Sequence, residues 1–290
     1  MAAPVRTVRK LLLGKEIEHM IATAGKTQAE AGALIEVGQS RIAGLINGIG
    51  AISVGDLTLL ANALGFTDPG YQDALLELRR DNHKRGFWTM GHNRAYSEEI
   101  RLLVDLERHA DQIRSYEVEI MPGLVQCESY ARALHADIPD DGMLTLDDWV
   151  AARMARQEIY DKADPPPVHF VLSESCLRRV WGDRTVMREQ IAYLIKMSDR
   201  PNVMIQVLPF DAPPGRRSPV GNRFTLVRVP SPGVAGPLEL AYIESQVEIR
   251  YLDDKKALAA FDQVWARLST AALSYADSRK FLRRVAQDFK

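Results

Sequence analysis

The chain has 290 residues, 46 % of them hydrophobic and 26 % charged, with a formal net charge of -1. These fractions are those of an ordinary globular protein, and the length makes two domains the default expectation. The near-zero net charge excludes a strongly basic nucleic-acid coat but is compatible with a small DNA-reading patch, because binding follows local rather than total charge.

Up to about Phe66 the pattern is one of short consecutive helices. VRKLLLGKEIEHMIATAG places Leu12, Leu13, Ile17, Met20 and Ile21 at helical spacing and is ended by Gly25. DLTLLANALGF repeats the pattern with Leu57, Leu60, Ala61 and Leu64 before Gly65. A connecting helix over 69–82 leads out through DNHKRGFW. From about Phe87, EEIRLLVDLERHADQI is an amphipathic helix with Leu102, Leu103, Leu106, Ala110 and Ile113 on its apolar face. Alternating or β-branched runs then predict strands at 116–120, 168–174, 203–208, 223–229, 238–244 and 247–252. Helices are predicted at 124–134, 146–161, 185–197, 255–268 and 275–289, and Pro/Gly-rich loops at 209–222 and 230–237. The expected fold class is α+β overall. It comprises an N-terminal all-α domain over 1–68, a connecting helix and linker over 69–86, and an α+β domain over 87–290 with a mixed or antiparallel sheet flanked by helices.

Between the first two helical patterns lies TQAEAGALIEVGQSRIAGLING (27–48). Thr27 is a good N-cap and Gln28 opens a short helix. Gly32 is small where two short helices must approach, and the turn EVG follows with Val37 available to plug the core. The second helix begins near Gln39 and buries Ile42 and Leu45, leaving Gln39, Ser40, Arg41 and Gly44 outward, with Asn47 just after it. Polar side chains at the exposed start of such a helix suit a major-groove reader, since Arg bridges guanine O6/N7 and Gln bridges adenine N6/N7. The same stretch also fits an Ala-rich helical hairpin that packs only on itself.

The spacing of Gln28, Gly32, Val37 and Ile42, with NG and SVGDLTLLANALG after it, resembles the XRE (Cro/repressor-like) helix-turn-helix family over about residues 8–66. The resemblance implies a phosphate contact for Gln28, base-edge positions for Gln39, Ser40 and Arg41, and binding to double-stranded operator DNA as a homodimer. Glu36 stands where that family prefers Gly, Ile46 where it has Glu, and Gly44 weakens the reading helix by up to about 1 kcal/mol relative to Ala.

Farther on, LERHADQIRSYEVEIMPGLVQCESYARAL, RMARQEIY, VLSESCLRRVWGDRTVMREQIAYL, PNVMIQVLPF, FTLVRV, AYIES and ALSYADSRKFLRRV resemble, in this order, the uncharacterised C-terminal domain of WhiJ-like actinobacterial regulators. Val125 and Cys127 depart from the family's PGLLQT. The resemblance implies a regulator of development or secondary metabolism, often encoded beside a small partner protein, and supplies no ligand. From the residues, Met121, Pro122 and Gly123 form either a structural corner or a pocket wall. Arg153, Arg156 and Gln157 share a helix face that is either solvated or an anion or partner site, Glu174 is spaced to pair with Arg178, and Glu244 ends a strand.

No catalytic or metal motif is present: Ser173 lies in no GxSxG elbow, and the six histidines make no HExxH. No enzyme activity and no cofactor are expected. Cys127 and Cys176 lack CxxC context, the run Leu11–Leu13 is too short for a signal peptide, and no segment approaches the roughly 20 apolar residues of a membrane span. A cytoplasmic, non-membrane setting follows as the expectation. The expected function is a sequence-specific transcriptional regulator whose larger domain responds to a small molecule or protein. The alternative is an antitoxin-like module that chiefly binds a small partner protein, its DNA binding being autoregulatory.

Overall fold

A computed structural model of the chain describes residues 6–80, 95–137, 144–212, 221–245 and 247–289, which fall into two compact units. The exit segment DNHKRGFW, the end of the connecting helix and most of the 209–222 loop lie outside the described residues. The first unit gathers the described residues of the stretch 1–89 with Glu98–His109 and Val229–Leu238. The second takes in the described residues of 95–97, 110–228 and 239–289.

The first unit contains α1 (Val8–Thr23), α2 (Gln28–Ala33), α3 (Gln39–Ile46), α4 (Val54–Ala63), α5 (Pro69–Arg79) and α6 (Glu98–His109). Each start is fixed by side-chain chemistry where the sequence allows it. Thr7, Thr27, Ser53 and Asp68 each accept a backbone N–H of the following first turn, and Pro69 supplies a preset φ at the head of α5. Leu12, Leu13, Ile17, Met20, Ile42, Leu45, Leu57, Leu60 and Leu75 are buried, so the predicted apolar stripes do meet in one core. The backbone N–H of Val8 donates to Asp105 of α6 at 2.7 Å, which fastens the start of α1 to that helix.

The closest helix approach is at Gly14. A Cβ there would lie 2.6 Å from the Leu45 carbonyl oxygen and closer still to that of Ile46, both rigid backbone atoms. A glycine in mid-helix costs roughly 0.5–1 kcal/mol, and here it lets α1 touch the carboxyl end of α3.

The second unit is built on a six-stranded mixed sheet of β1 (Gln112–Glu117), β2 (Val168–Ser173), β3 (Val203–Leu208), β4 (Phe224–Val229), β5 (Leu238–Glu244) and β6 (Ile249–Leu252). The order is β3-β2-β1-β4-β5-β6. Strands β1, β2 and β3 run parallel, β1 pairs antiparallel with β4, and β5 pairs antiparallel with β6. Helix α11 (Lys255–Ala271) lays Trp265 and Leu268 on one face, against Tyr116, Val171, Leu208, Phe224, Leu226 and Ala241. The other face carries Ile113, Phe170, Ile205 and Val227, also buried. A sheet covered on both sides explains why β2 reads as a continuous apolar run rather than an alternation. The edge at β3 is capped near its carboxyl end by α12 (Tyr275–Asp288) and the turn before it: Ser278 Oγ accepts from Val207 N at 3.0 Å, and Leu273 N donates to Val207 O at 2.8 Å.

Several predicted boundaries move. Strand β1 occupies 112–117 rather than 116–120, and α6 stops at His109, so Ile113 is a sheet residue and not part of a helix face. Positions 106, 110 and 113 fit helical spacing, but Ile113, Arg114 and Ser115 find ladder partners on both β2 and β4, and that pairing prevails. The helix expected at 124–134 divides into a 3-10 turn, Gly123–Val125, and α7 (Glu128–Leu134). Buried Gln190, on α10 (Arg184–Met197), holds this break by accepting from Cys127 N at 2.8 Å and donating to Val125 O at 2.7 Å. The helix expected at 146–161 becomes α8 (Leu146–Ala155) followed by a 3-10 stretch, Arg156–Asp161. A five-residue helix, α9 (Glu174–Arg178), follows β2 directly.

Replacing Gly14 by Ala forces α1 and α3 apart and is expected to cost about 2 kcal/mol or more. Urea denaturation of the full chain measures this, and an unchanged transition would mean that the two helices can separate freely.

Candidate nucleic-acid interface

Helix α2 begins with a complete capping box. Thr27 Oγ1 accepts from Glu30 N at 3.2 Å, and Glu30 Oε2 accepts from Thr27 N at 2.8 Å. The Thr27 hydroxyl also donates to Glu30, so this side chain serves first as a cap. These hydrogen bonds hold the Glu30 carboxyl below its ordinary value.

The helix ends in a Schellman motif: Val37 N donates to Gly32 O at 2.9 Å and Glu36 N to Ala33 O at 3.4 Å. That closure requires a left-handed residue at 36. Glu36 has φ 57°, the one positive φ outside glycine among the described residues. The family preference for Gly at this place therefore has a direct backbone cause. Gly32 lies under the turn, where a Cβ would stand 2.5 Å from the Val37 carbonyl oxygen.

Gly38 starts α3 without a side-chain cap, and Arg41 N donates to the Gly38 carbonyl at 3.0 Å in the first turn. Ile42 and Leu45 are buried and fasten the helix, while Gln39, Ser40 and Arg41 are exposed together at its start. Gln28 is half-buried at the head of α2. Asn47 is exposed, and its amide donates to Ala43 O at 2.8 Å. The Arg41 guanidinium donates to the Ala51 carbonyl, so reaching a base edge requires leaving that contact. Gly44 is half-buried, and a Cβ there would meet Ile49 O at an acceptable 3.4 Å.

In the second unit, six candidates form one packed corner. Met121 is buried; its N–H donates to the Tyr130 hydroxyl at 3.2 Å and its carbonyl accepts from Gln126 at 2.7 Å. Pro122 is buried beside it. A Cβ at Gly123 would lie 2.5 Å from an Arg153 nitrogen and 2.8 Å from one of Arg156, and Gln157 donates to the carbonyls of Gly123 and Gln126. His135, against Arg153 and stacked on Trp149, is pushed down to about 4 by burial and then by that cation, so it is neutral near neutrality. Glu174 lies elsewhere: it pairs with Arg178 as the spacing predicts and accepts from Phe210 N at 2.9 Å.

Glu244 belongs to a cluster that the sequence did not announce. It pairs with Arg223 and accepts from the Tyr242 hydroxyl. Arg223 also stands 3.6 Å from buried Glu117. Burial pushes the Glu117 carboxyl up to about 7, with Glu244 adding to the shift and Arg223 and Ser115 opposing it. Among the described residues no group of three or more His, Cys, Asp or Glu could hold a metal ion, and no helix is long and apolar enough to cross a membrane.

Because Glu36 carries a strained φ, Glu36→Gly is expected to stabilise the first unit by about 1 kcal/mol. Gly44→Ala is expected to add about 0.5–1 kcal/mol. Thermal melts of the two variants read both effects, and a lowered melting temperature for either refutes its account. For Glu117, the fold favours the protonated acid, so its contribution is present at low pH and lost as pH rises from 4.5 through about 7. The stability of Glu117→Gln relative to the wild type should therefore rise from about pH 5 to about pH 8, as measured by urea denaturation. A difference independent of pH would show that Glu117 ionises at its ordinary value.

Two family models match the chain. One, described as Helix-turn-helix, covers residues 21–72, and the other, Domain of unknown function (DUF5753), covers residues 100–284. Among curated proteins and among solved structures none matches. The first match falls on the segment that holds α2, the turn and α3, and it supports an XRE-type DNA-binding role for that segment. The second spans well over half of the sequence, and the chain thus belongs to the DUF5753 family, with a helix-turn-helix ahead of that domain.

Proposed function

We propose that this protein is a sequence-specific transcriptional regulator of the WhiJ-like kind, acting in development or secondary metabolism. It reads DNA with the amino end of α3, and its DUF5753 domain modulates the binding in response to an effector. The observation that carries this is the joint exposure of Gln39, Ser40 and Arg41 on a helix whose opposite side is anchored by Ile42 and Leu45. Gln39, Ser40 and Arg41 take the base edges, Gln28 takes phosphate, and Thr27 and Asn47 lie at the flanks of the contact. Gly44 keeps the middle of α3 free of bulk. Two copies of the chain reading a pseudo-palindrome would contact half-sites about 34 Å apart.

A small molecule is favoured as the effector over a protein by a cavity of about 520 Å³ at the amino ends of the three parallel strands, lined by Gln112, Arg114, His169, Asn202, Met204 and Tyr275 among others. That volume is in the range of small-molecule sites. Arg114 pairs with Asp262 through one nitrogen, while its buried Nε has no hydrogen-bond partner and suits a ligand oxygen. Burial and the neighbouring Arg114 lower His169, keeping it neutral in the same wall. None of the eight residues singled out from the sequence lines this cavity.

Selection of bound duplexes from a random-sequence pool by the full chain, followed by anisotropy titrations, tests the DNA reading. Arg41→Ala is expected to lose about 1–3 kcal/mol of discrimination at one base pair. Gln28→Ala is expected to weaken all sequences alike. Recovery of no enriched sequence would refute the proposal.

A further inference from the structure

Glu16 is the one carboxylate in the apolar core of α1, with 0 % exposure. Its two oxygens accept from the Tyr71 hydroxyl at 2.9 Å, the Ser231 hydroxyl at 2.8 Å, and the backbone N–H groups of Val234 and Ala235 at 3.1 Å. Burial and the adjacent Glu16 carboxylate raise the Tyr71 phenol well above its ordinary value, so it remains a donor. Ser231 Oγ in turn accepts from Gly233 N at 3.1 Å, which folds the loop around the acid. A Cβ at Gly233 would lie 2.6 Å from Glu16 Oε2, so a larger residue there would collide with the carboxylate. Lys15 donates to the Pro237 carbonyl and adds a second tie. A buried carboxylate is tolerated only when its oxygens are hydrogen-bonded, and consecutive backbone N–H groups form a concave anion seat. Three of the four donor residues belong to the loop between β4 and β5, more than two hundred positions along the chain.

Glu16 stands two residues from Gly14, the place where α1 touches the Leu45 and Ile46 carbonyls at the end of α3. One turn of α-helix is stiff, so a displacement at Glu16 is felt at Gly14 and passed to α3. We propose that the β4–β5 loop of the DUF5753 domain is a positioning element of the DNA-reading unit: by holding Glu16 it fixes, through Gly14, the attitude of the recognition helix. Ser231, Gly233 and Glu16 are then positioning residues, touching no DNA themselves. The inference rests on the DNA-reading role proposed above.

The test uses the full chain as wild type, Glu16→Gln, Ser231→Ala and Gly233→Ala. Each is titrated at several salt concentrations with a duplex selected by the wild type from a random pool and with a scrambled duplex of the same composition. Hydrogen exchange of residues 8–23 and 229–238 is followed alongside. Glu16→Gln and Gly233→Ala are expected to lose about tenfold in affinity for the selected duplex, with scrambled-duplex affinity and its salt slope unchanged, because phosphate contacts tolerate a mis-set helix and base contacts do not. Exchange should rise in α1 and the loop together. Ser231→Ala, which adds no bulk, carries the test if the other two fail to fold, with a loss of about threefold expected from one hydrogen bond. Two results overturn the proposal: selected-duplex affinity unchanged while exchange of the loop has risen, or equal losses on both duplexes, which a simple loss of folded protein would give. A wild type that selects no duplex would instead remove the DNA-reading role, and this inference with it.

Discussion

A carboxylate inside a helical core has to find hydrogen bonds there, and that demand on Glu16 shapes the unit that carries the helix-turn-helix. The local helices supply one donor, Tyr71. The rest come from a loop at the far end of the sequence, so the compact unit that holds α2 and α3 also includes Val229–Leu238. Helix α1 is consequently clasped on one side by the loop and pressed on the other against the carbonyls of α3. The unit that carries the helix-turn-helix thus gathers three chain segments, two of which fall wholly or almost wholly in the stretch matched as a domain of unknown function.

The turn between α2 and α3 shows how one backbone requirement propagates. The Schellman closure needs a left-handed residue, the sequence provides a glutamate, and the resulting strain falls on the connection that sets where α3 begins. Gly38 then starts α3 without a side-chain cap, and the exposed Gln39, Ser40 and Arg41 follow on the first turn. Stability has been conceded at the turn and at Gly44, both next to the surface proposed to read DNA, a distribution common at functional sites.

Much of this was legible in the residues. Apolar spacing and side-chain caps place the helices of the first unit, because both are local signals. The Gly preference at position 36 marks the one strained turn. Long-range pairing was not legible: Ile113 satisfies a helical period as well as a strand, and only β2 and β4 decide between them. Gln190, which divides the helix expected at 124–134, acts from more than sixty residues away. Glu16 did leave a trace, since it lies on the same helical stripe as Leu12 and Met20, where a charged residue needs a special partner. Which loop would supply that partner no periodicity could tell. Met121, Pro122 and Gly123 meet Arg153, Arg156 and Gln157 in one corner, a meeting that their separate motifs did not announce, and the open cavity is lined by other residues, because the ends of parallel strands create it and no motif marks them.

The cover on β3 has a consequence for how copies of the sheet could meet. With Ser278 and Leu273 occupying the Val207 backbone, an incoming strand could not pair with the carboxyl end of that edge. At the other edge, β6 is only four residues long and Arg250 is exposed, so it offers a short and charged template. Both edges of the sheet thus blunt strand addition, one by a cap at its carboxyl end and the other by brevity and charge.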